Sequence, residues 1–324
     1  MESFGVVDFK KREREKQKRV YGMLLSSMGD LICRLLKDDT VSDITVNPDG
    51  RLWVDRLAVG RSDSGETLSE ADAERIIRIV ASSLNTVCNR ENPVLSAELP
   101  GTGSRFQGLL PPVVPKPCFA IRKHAVRVFT LDDYVRDGIM EKGHAVRIRQ
   151  AVKQRENILI VGGTGSGKTT LANAILDEIA RYNDRVVLIE DTLELQCRVD
   201  DFVSLRTKDG VADMTALLKA TLRLRPDRIV VGEVRGGEAL ALLKAWNTGH
   251  PGGLSTVHAN GPRQGLIRLE QLIQEAAAGI PRALIAEAVD LVVYIERCGV
   301  GRRVSQVAAV TGLKGDGYDI KQED

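Results

Sequence analysis

Eight consecutive residues, Gly162-Gly163-Thr164-Gly165-Ser166-Gly167-Lys168-Thr169, fill every fixed position of the phosphate-loop pattern G-x-x-x-x-G-K-[ST]. Glycines at this spacing leave room for successive backbone N–H groups to point at phosphate oxygens. A helix starting directly behind them adds partial positive charge. Lys168 would neutralise the β- and γ-phosphates of a nucleotide, and the Thr169 hydroxyl would ligate Mg²⁺. Gly163, Thr164, Gly165, Ser166, Gly167 and Thr170 complete the expected cradle for ATP. The flanks suit it. Asn157-Ile158-Leu159-Ile160-Val161 is an apolar run of strand length, and Leu171, Ala174, Ile175 and Ile179 follow at helical spacing.

A site that hydrolyses nucleotide also needs carboxylates to hold the metal's water shell and to orient the attacking water. Glu190-Asp191, with Glu194 three residues on, ends the strand-like run Val186-Val187-Leu188-Ile189. Glu233 follows Ile229-Val230-Val231-Gly232 in the same way. Glu190 and Glu233 are both candidates for poising the water and for reaching Mg²⁺ through water, and the sequence does not choose between them. His250 and His258 flank a glycine-rich turn. They could be metal ligands, but no third ligand completes a zinc set. A histidine at a strand end could instead sense the γ-phosphate through a hydrogen bond, and His258 is placed for that. His124 and His144 read as surface residues.

The elements that must position these groups alternate. Strands over 186–189, 229–231 and 254–257 are separated by helices around Asp213–Leu222, Glu238–Asn247, Pro262–Ala277 and Pro281–Ala288. Leu291–Ile295 follows, and a hairpin of Val304–Val310 with Tyr318–Ile320 ends the chain. This alternation implies an α/β domain with a parallel sheet covered on both faces, binding ligands at the strands' C-terminal edge. Residues 1–130 read as a smaller α+β domain. It has an amphipathic helix through Tyr21, Leu24, Leu25, Met28, Leu31, Ile32, Leu35 and Leu36, and a hairpin around Asn47-Pro48-Asp49-Gly50. A second helix carries Ile76, Ile77, Val80 and Leu84, and short strands cover Leu95–Leu99, Arg105–Leu110 and Cys118–Arg122. Residues 131–142 read as a linker and 143–324 as the nucleotide domain. The basic run Lys10–Arg19 reads as a solvated start to a core-facing helix, with an anionic membrane surface as its other possible contact.

Composition sets outer limits. In 324 residues, 46 basic and 44 acidic side chains nearly cancel, so overall charge argues for no polyanionic partner. Cys33, Cys88, Cys118, Cys197 and Cys298 form no C-x-x-C pair, which points to a reducing compartment. With no secretory signal and no apolar run of membrane-spanning length, the expectation is a cytoplasmic protein.

Four ordered stretches make the reading more specific: Gly162 to Thr169, Ile189 to Glu194, Leu224 to Arg235, and Gly249 to Asn260. Together they resemble the Walker A, Asp-box, Walker B and His-box set of the secretion traffic ATPases, which power type II and type IV secretion and pilus assembly. Ala245 to Gly253 and Gly232 to Gly237 are most similar to the conjugation branch, the TrbB-like proteins of plasmid mating-pair formation. The likeness reaches the N-terminal half through Ile44 to Asp55, Pro100 to Phe106, Pro111-Pro112 and Ile121-Arg122-Lys123. It implies a RecA-like P-loop NTPase domain after a PAS-like domain, and a ring, usually a hexamer, peripheral to the inner membrane and partnered with its secretion components. It also implies that Arg105 and Arg122 reach the phosphates; strand-edge surface charge is the other reading of the pair. Arginine suits that task through its fixed charge and planar fork of donors. The missing C-x-x-C module weighs against the type II branch. The function expected is an Mg-ATP-driven motor of a conjugative type IV secretion system, with a pilus assembly or retraction motor as the near alternative. A nucleic-acid translocase is disfavoured by balanced charge and few aromatics, so no sequence-specific nucleic-acid binding is expected. A switch that scarcely hydrolyses is disfavoured by the intact Glu190 and Glu233.

Overall fold

The computed structural model describes residues 3–56, 59–123, 128–208, 210–277, 279, 281–299 and 301–323, with side chains from residue 19 onward. The chain divides into two compact units, residues 1–127 and 128–324.

In the first unit, helix α1 (Ser3–Lys37) is interrupted at Gly29, where φ of 72° and ψ of 171° leave helical geometry. Leu24, Met28, Ile32 and Leu35 are buried, so the stripe after the basic run faces a core. The side chains of Lys10 to Lys18 lie outside the described residues. Strands β1 (Val41–Val46) and β2 (Arg51–Arg56) form the hairpin expected around Asn47–Gly50. Strand β3 (Gly60–Thr67) was not legible in the sequence. It is an edge strand of the composition GRSDSGET, mostly exposed, with no apolar alternation to announce it. Helix α2 (Glu70–Ser83) starts at Ser69, whose hydroxyl accepts the Asp72 N–H, and buries Ala73, Ile76, Ile77 and Val80. Strands β4 (Val94–Glu98), β5 (Arg105–Leu109) and β6 (Cys118–Arg122) complete an antiparallel sheet of order β3-β2-β1-β6-β5-β4. Phe106 and Phe119 stack at 5.4 Å within its core.

The second unit opens with helices α3 (Leu131–Arg136) and α4 (Lys142–Gln154). The linker expected over 131–142 is therefore corrected. Thr130 and Asp133 form a reciprocal capping box, and Leu131 and Tyr134 are buried with Ile148 and Val152 in this unit's core. His144, expected at the surface, is 5% exposed in the buried stripe of α4; His124 lies outside the described residues. Strand β7 (Ile158–Val161) leads through the glycine loop into helix α5 (Lys168–Ile179). Next come β8 (Val186–Glu190), β9 (Phe202–Arg206), α6 (Met214–Thr221), β10 (Arg228–Val231) and α7 (Glu238–Asn247). The chain then forms β11 (Leu254–Val257), α8 (Pro262–Gln274), α9 (Arg282–Ala288), β12 (Leu291–Cys298), β13 (Gly301–Lys314) and β14 (Gly317–Glu323).

The sheet order is β14-β13-β12-β7-β11-β10-β8-β9. From β12 to β9 the neighbours are parallel, as expected, while β13 and the expected hairpin partner β14 add on antiparallel beyond β12, so the sheet as a whole is mixed. The cause is connection length. The short turns around β13 permit a hairpin but not the crossover that parallel neighbours need. All four residues of β7 are buried, and they alternate between two cores. Ile158 and Ile160 pack with α5 residues Leu171 and Ile175; Leu159 and Val161 pack with Leu242, Trp246 and Leu269 of α7 and α8. At the N-terminal end of β10, Arg228 is 1% exposed and paired with Asp184 at 2.6 Å, its remaining donors on the Val152 and Gly252 carbonyls. That end of the sheet is braced; the other carries the chemistry.

Candidate nucleotide site

The glycine loop lies at the C-terminal end of β7, between the ends of β11 and β12, which pair with β7 on either side. Gly167 stands at φ 100°, a conformation that a residue with a Cβ strains to adopt, and α5 begins at Lys168. Lys168 is 8% exposed. Its ammonium donates to the carbonyls of Gly162 at 3.0 Å and Gly163 at 3.1 Å, and lies 3.1 Å from Nδ1 of His258. His258 follows β11 and contacts Glu233 Oε1 at 2.8 Å through Nε2. The pattern calls for the tautomer protonated at Nε2, which accepts from Lys168 and donates to Glu233. Partial burial, followed by the Lys168 charge, pushes the His258 pKa below its ordinary 6.5, against the opposing pull of Glu233. The imidazole is therefore neutral near pH 7. His250 sits at the opposite end of β11 with Nδ1 3.3 Å from the Ala245 carbonyl, so the two histidines do not converge on a shared metal.

The two glutamates occupy different environments. Glu190 is 3% exposed, and its Oε1 accepts the backbone N–H groups of Glu194 and Leu195, each at 2.9 Å. It lies beside Gly232 on the neighbouring strand end, where an added Cβ would come within 3.1 Å of the Glu190 Cγ. A glycine immediately before Glu233 makes room for the buried carboxylate. Glu233 is partly exposed, at 17% of its side chain, between His258 and Arg235, whose Nε donates to Oε2 at 2.7 Å. Arg235 also lies 3.9 Å from Asp191, and Asp191 accepts the Thr207 hydroxyl at 2.9 Å.

Mg²⁺ prefers hard oxygen donors, and it usually takes one or two from protein and the rest from phosphate and water. The Thr169 hydroxyl, 3.2 Å from Glu194 Oε2, fits that demand, and the Glu194 backbone N–H donates to Glu190 Oε1 at 2.9 Å. Among the described residues, no group of three or more His, Cys, Asp or Glu side chains is arranged to hold a metal by itself.

The type II/IV secretion system protein family model matches residues 70–311. The chain belongs to that family. Among curated relatives, the probable conjugal transfer protein TrbB of Sinorhizobium fredii is 52% identical over 307 residues, covering 94% of each chain. The type IV secretion system protein VirB11 of Bartonella quintana is 30% identical, covering 85% of this chain and 90% of its own. The solved Legionella pneumophila ATPase DotB has the same fold, with a TM-score of 0.62 at 20% identity over 84% of this chain and 78% of its own.

The motifs by which the chain resembles this secretion family therefore converge in the second unit: Lys168, Thr169, Glu190, Glu233 and His258 share one edge of its sheet. Arg105 and Arg122 lie in the first unit, directly opposite each other on β5 and β6. Arg122 pairs with Asp43 at 2.9 Å, and Arg105 faces Glu98 across β4. Sequence reasoning assigned no role to Arg235. Its position two residues after Glu233, in the stretch most like the conjugation branch, was the available signal.

Proposed function

We propose that the chain is an Mg-ATP-hydrolysing motor of a conjugative type IV secretion system. In this reading it has a RecA-like ATPase domain after a PAS-like domain and works as a homo-oligomer, in the form of a hexamer, on the cytoplasmic face of the inner membrane. Its work drives assembly of the mating-pair apparatus or transfer of its substrate through partner components of that machine. One observation carries the reading: the Lys168 ammonium, cradled by loop carbonyls, connects through His258 to Glu233. The 52% identity to conjugal transfer proteins supports the conjugative branch.

In this reading the triphosphate lies along residues Gly163 to Thr170 with its γ-phosphate toward His258. Lys168 trades its carbonyl and imidazole contacts for phosphate oxygens. Thr169 would hold Mg²⁺, with Glu190 and Glu233 acting on it through water, and the ion would supply charge neutralisation. Glu233, less enclosed than Glu190 and aimed by Arg235, orients the attacking water. His258, released from Lys168 when phosphate is present, reports its loss when phosphate leaves.

The test is Mg-ATP turnover per subunit across a wide range of protein concentration, with Lys168→Ala as blank. Turnover that rises as the protein assembles, with the blank down at least about 10²-fold, is the expected result. A sizing run accompanies it. Turnover equal in wild type and blank would sink the reading.

A further inference from the structure

The phosphate loop has two sides. Lys168, His258 and Glu233 lie toward β11 and β10. On the other side is the β12–β13 hairpin, whose end carries Arg297 and Arg302 as a directly opposed cross-strand pair. Side-chain alternation puts both on the same face as Ile295 and Val304, themselves an opposed pair and fully buried. That face abuts the loop. A Cβ placed on Gly162 would lie 2.3 Å from the Ile295 carbonyl oxygen; one on Gly165 would lie 3.7 Å from Arg297 Nη1; one on Gly167 would lie 3.0 Å from Arg302 Cδ and 3.5 Å from its Nε.

Two like charges opposed across a hairpin destabilise it. Among the described residues, neither Arg297 nor Arg302 has a carboxylate within ion-pairing distance, whereas the adjacent Arg303 reaches Glu141 at 3.0 Å. Permanently charged guanidinium groups held together without counter-charge beside an anion-binding loop depart from local consistency, and such departures mark functional positions.

We propose that Arg297 and Arg302 are nucleotide-positioning residues that hold the α-phosphate end of the bound nucleotide. The assignment rests on the nucleotide reading above. It follows from the order of strands: with the γ-phosphate directed to His258 beyond β11, the triphosphate's other end lies toward β12. The contacts are common to ATP and ADP, because both keep the α- and β-phosphates. They are ground-state contacts, so they set affinity rather than the rate of the chemical step.

The experiment measures ADP and ATP binding, with Mg²⁺, to the full chain and to Arg297→Gln, Arg302→Gln and the double variant, alongside steady-state turnover. The expected result is about tenfold or greater weakening for both nucleotides in the double variant, a matching rise in KM, and kcat within about threefold of wild type. Arg302→Lys, which restores charge without the fork, recovers part of the loss. His258→Ala, by contrast, weakens ATP more than ADP. An unchanged ADP affinity in the double variant, with thermal unfolding like wild type, overturns the proposal. So does a variant that fails to assemble in a sizing run yet binds ADP normally, since the pair would then serve contacts between copies. A wild-type chain that binds neither nucleotide overturns the nucleotide reading itself.

Discussion

At the scale of single residues, His258 links Lys168 to Glu233, and in the proposed function its protonation responds to bound nucleotide. In the free protein its pKa lies below 6.5, chiefly through partial burial and then through Lys168. Because the folded value is below the unfolded one, the unfolded chain takes up this proton first. The stability contributed by the neutral imidazole is complete above about pH 6.5 and is lost as pH falls through the folded value. Bound phosphate adds negative charge and draws Lys168 away, so both changes raise the His258 pKa. The expected outcome is an upward shift of its NMR titration on adding non-hydrolysable ATP with Mg²⁺, smaller with ADP. A titration that does not move would remove His258 from the γ-phosphate's surroundings. The environments of Glu190 and Glu233 differ for a local reason: one is locked under Gly232 by backbone N–H groups, while the other is held by two side chains that can move.

At the scale of elements, α3 shows how a short capping sequence decides what a segment is. The Thr130 hydroxyl accepts the Asp133 N–H, and the Asp133 carboxylate accepts the Thr130 N–H at 3.0 Å. The Thr130 N–H, and then the Thr130 hydroxyl donating to the same carboxylate at 2.9 Å, hold the Asp133 carboxyl down at about 2, below its ordinary 3.8. Its contribution to folding is present above pH 3.8 and disappears as pH falls through about 2. Thr130→Ala is expected to cost about 1 kcal/mol. This would lower Tm by about 2–4 °C at neutral pH, measured by circular dichroism. An unchanged Tm would mean that the cap does not hold α3 in place. The same reasoning explains the mixed sheet: β13 and β14 are antiparallel because their turns are short, and the hairpin they make with β12 delivers Arg297 and Arg302 to the loop.

At the scale of the whole molecule, two units with separate cores carry different parts of the proposed machinery. The phosphate, metal and water groups belong to the second, and Arg105 and Arg122 to the first. The two arginines are opposed across β5 and β6, each with an acidic neighbour in its own sheet. Arg105→Ala and Arg122→Ala are expected to lower kcat by about 10²-fold or more while leaving ADP binding nearly intact, as for charge supplied to the transition state. Activity equal to wild type in both variants would return the pair to strand-edge surface charge. Among the described residues no helix is long and apolar enough to cross a membrane.

The sequence by itself determined the glycine loop, the strand-end positions of Glu190, Glu233 and His258, and the family they point to. These features are local: a loop's phosphate-binding geometry depends on consecutive residue types, and apolar periodicity reveals buried strands and helices. It did not reveal β3, whose polar edge pairs through backbone alone, or α3, whose 6 residues are too few for apolar periodicity to show. Only the tertiary structure decided that Glu190 is buried while Glu233 is partly exposed, that His258 bridges Lys168 and Glu233 while His250 faces away, and that two arginines more than a hundred residues from the loop stand beside it. Those facts arise from strand order and register. Residues distant in the chain meet because their strands are neighbours, and no local pattern encodes which strands those will be.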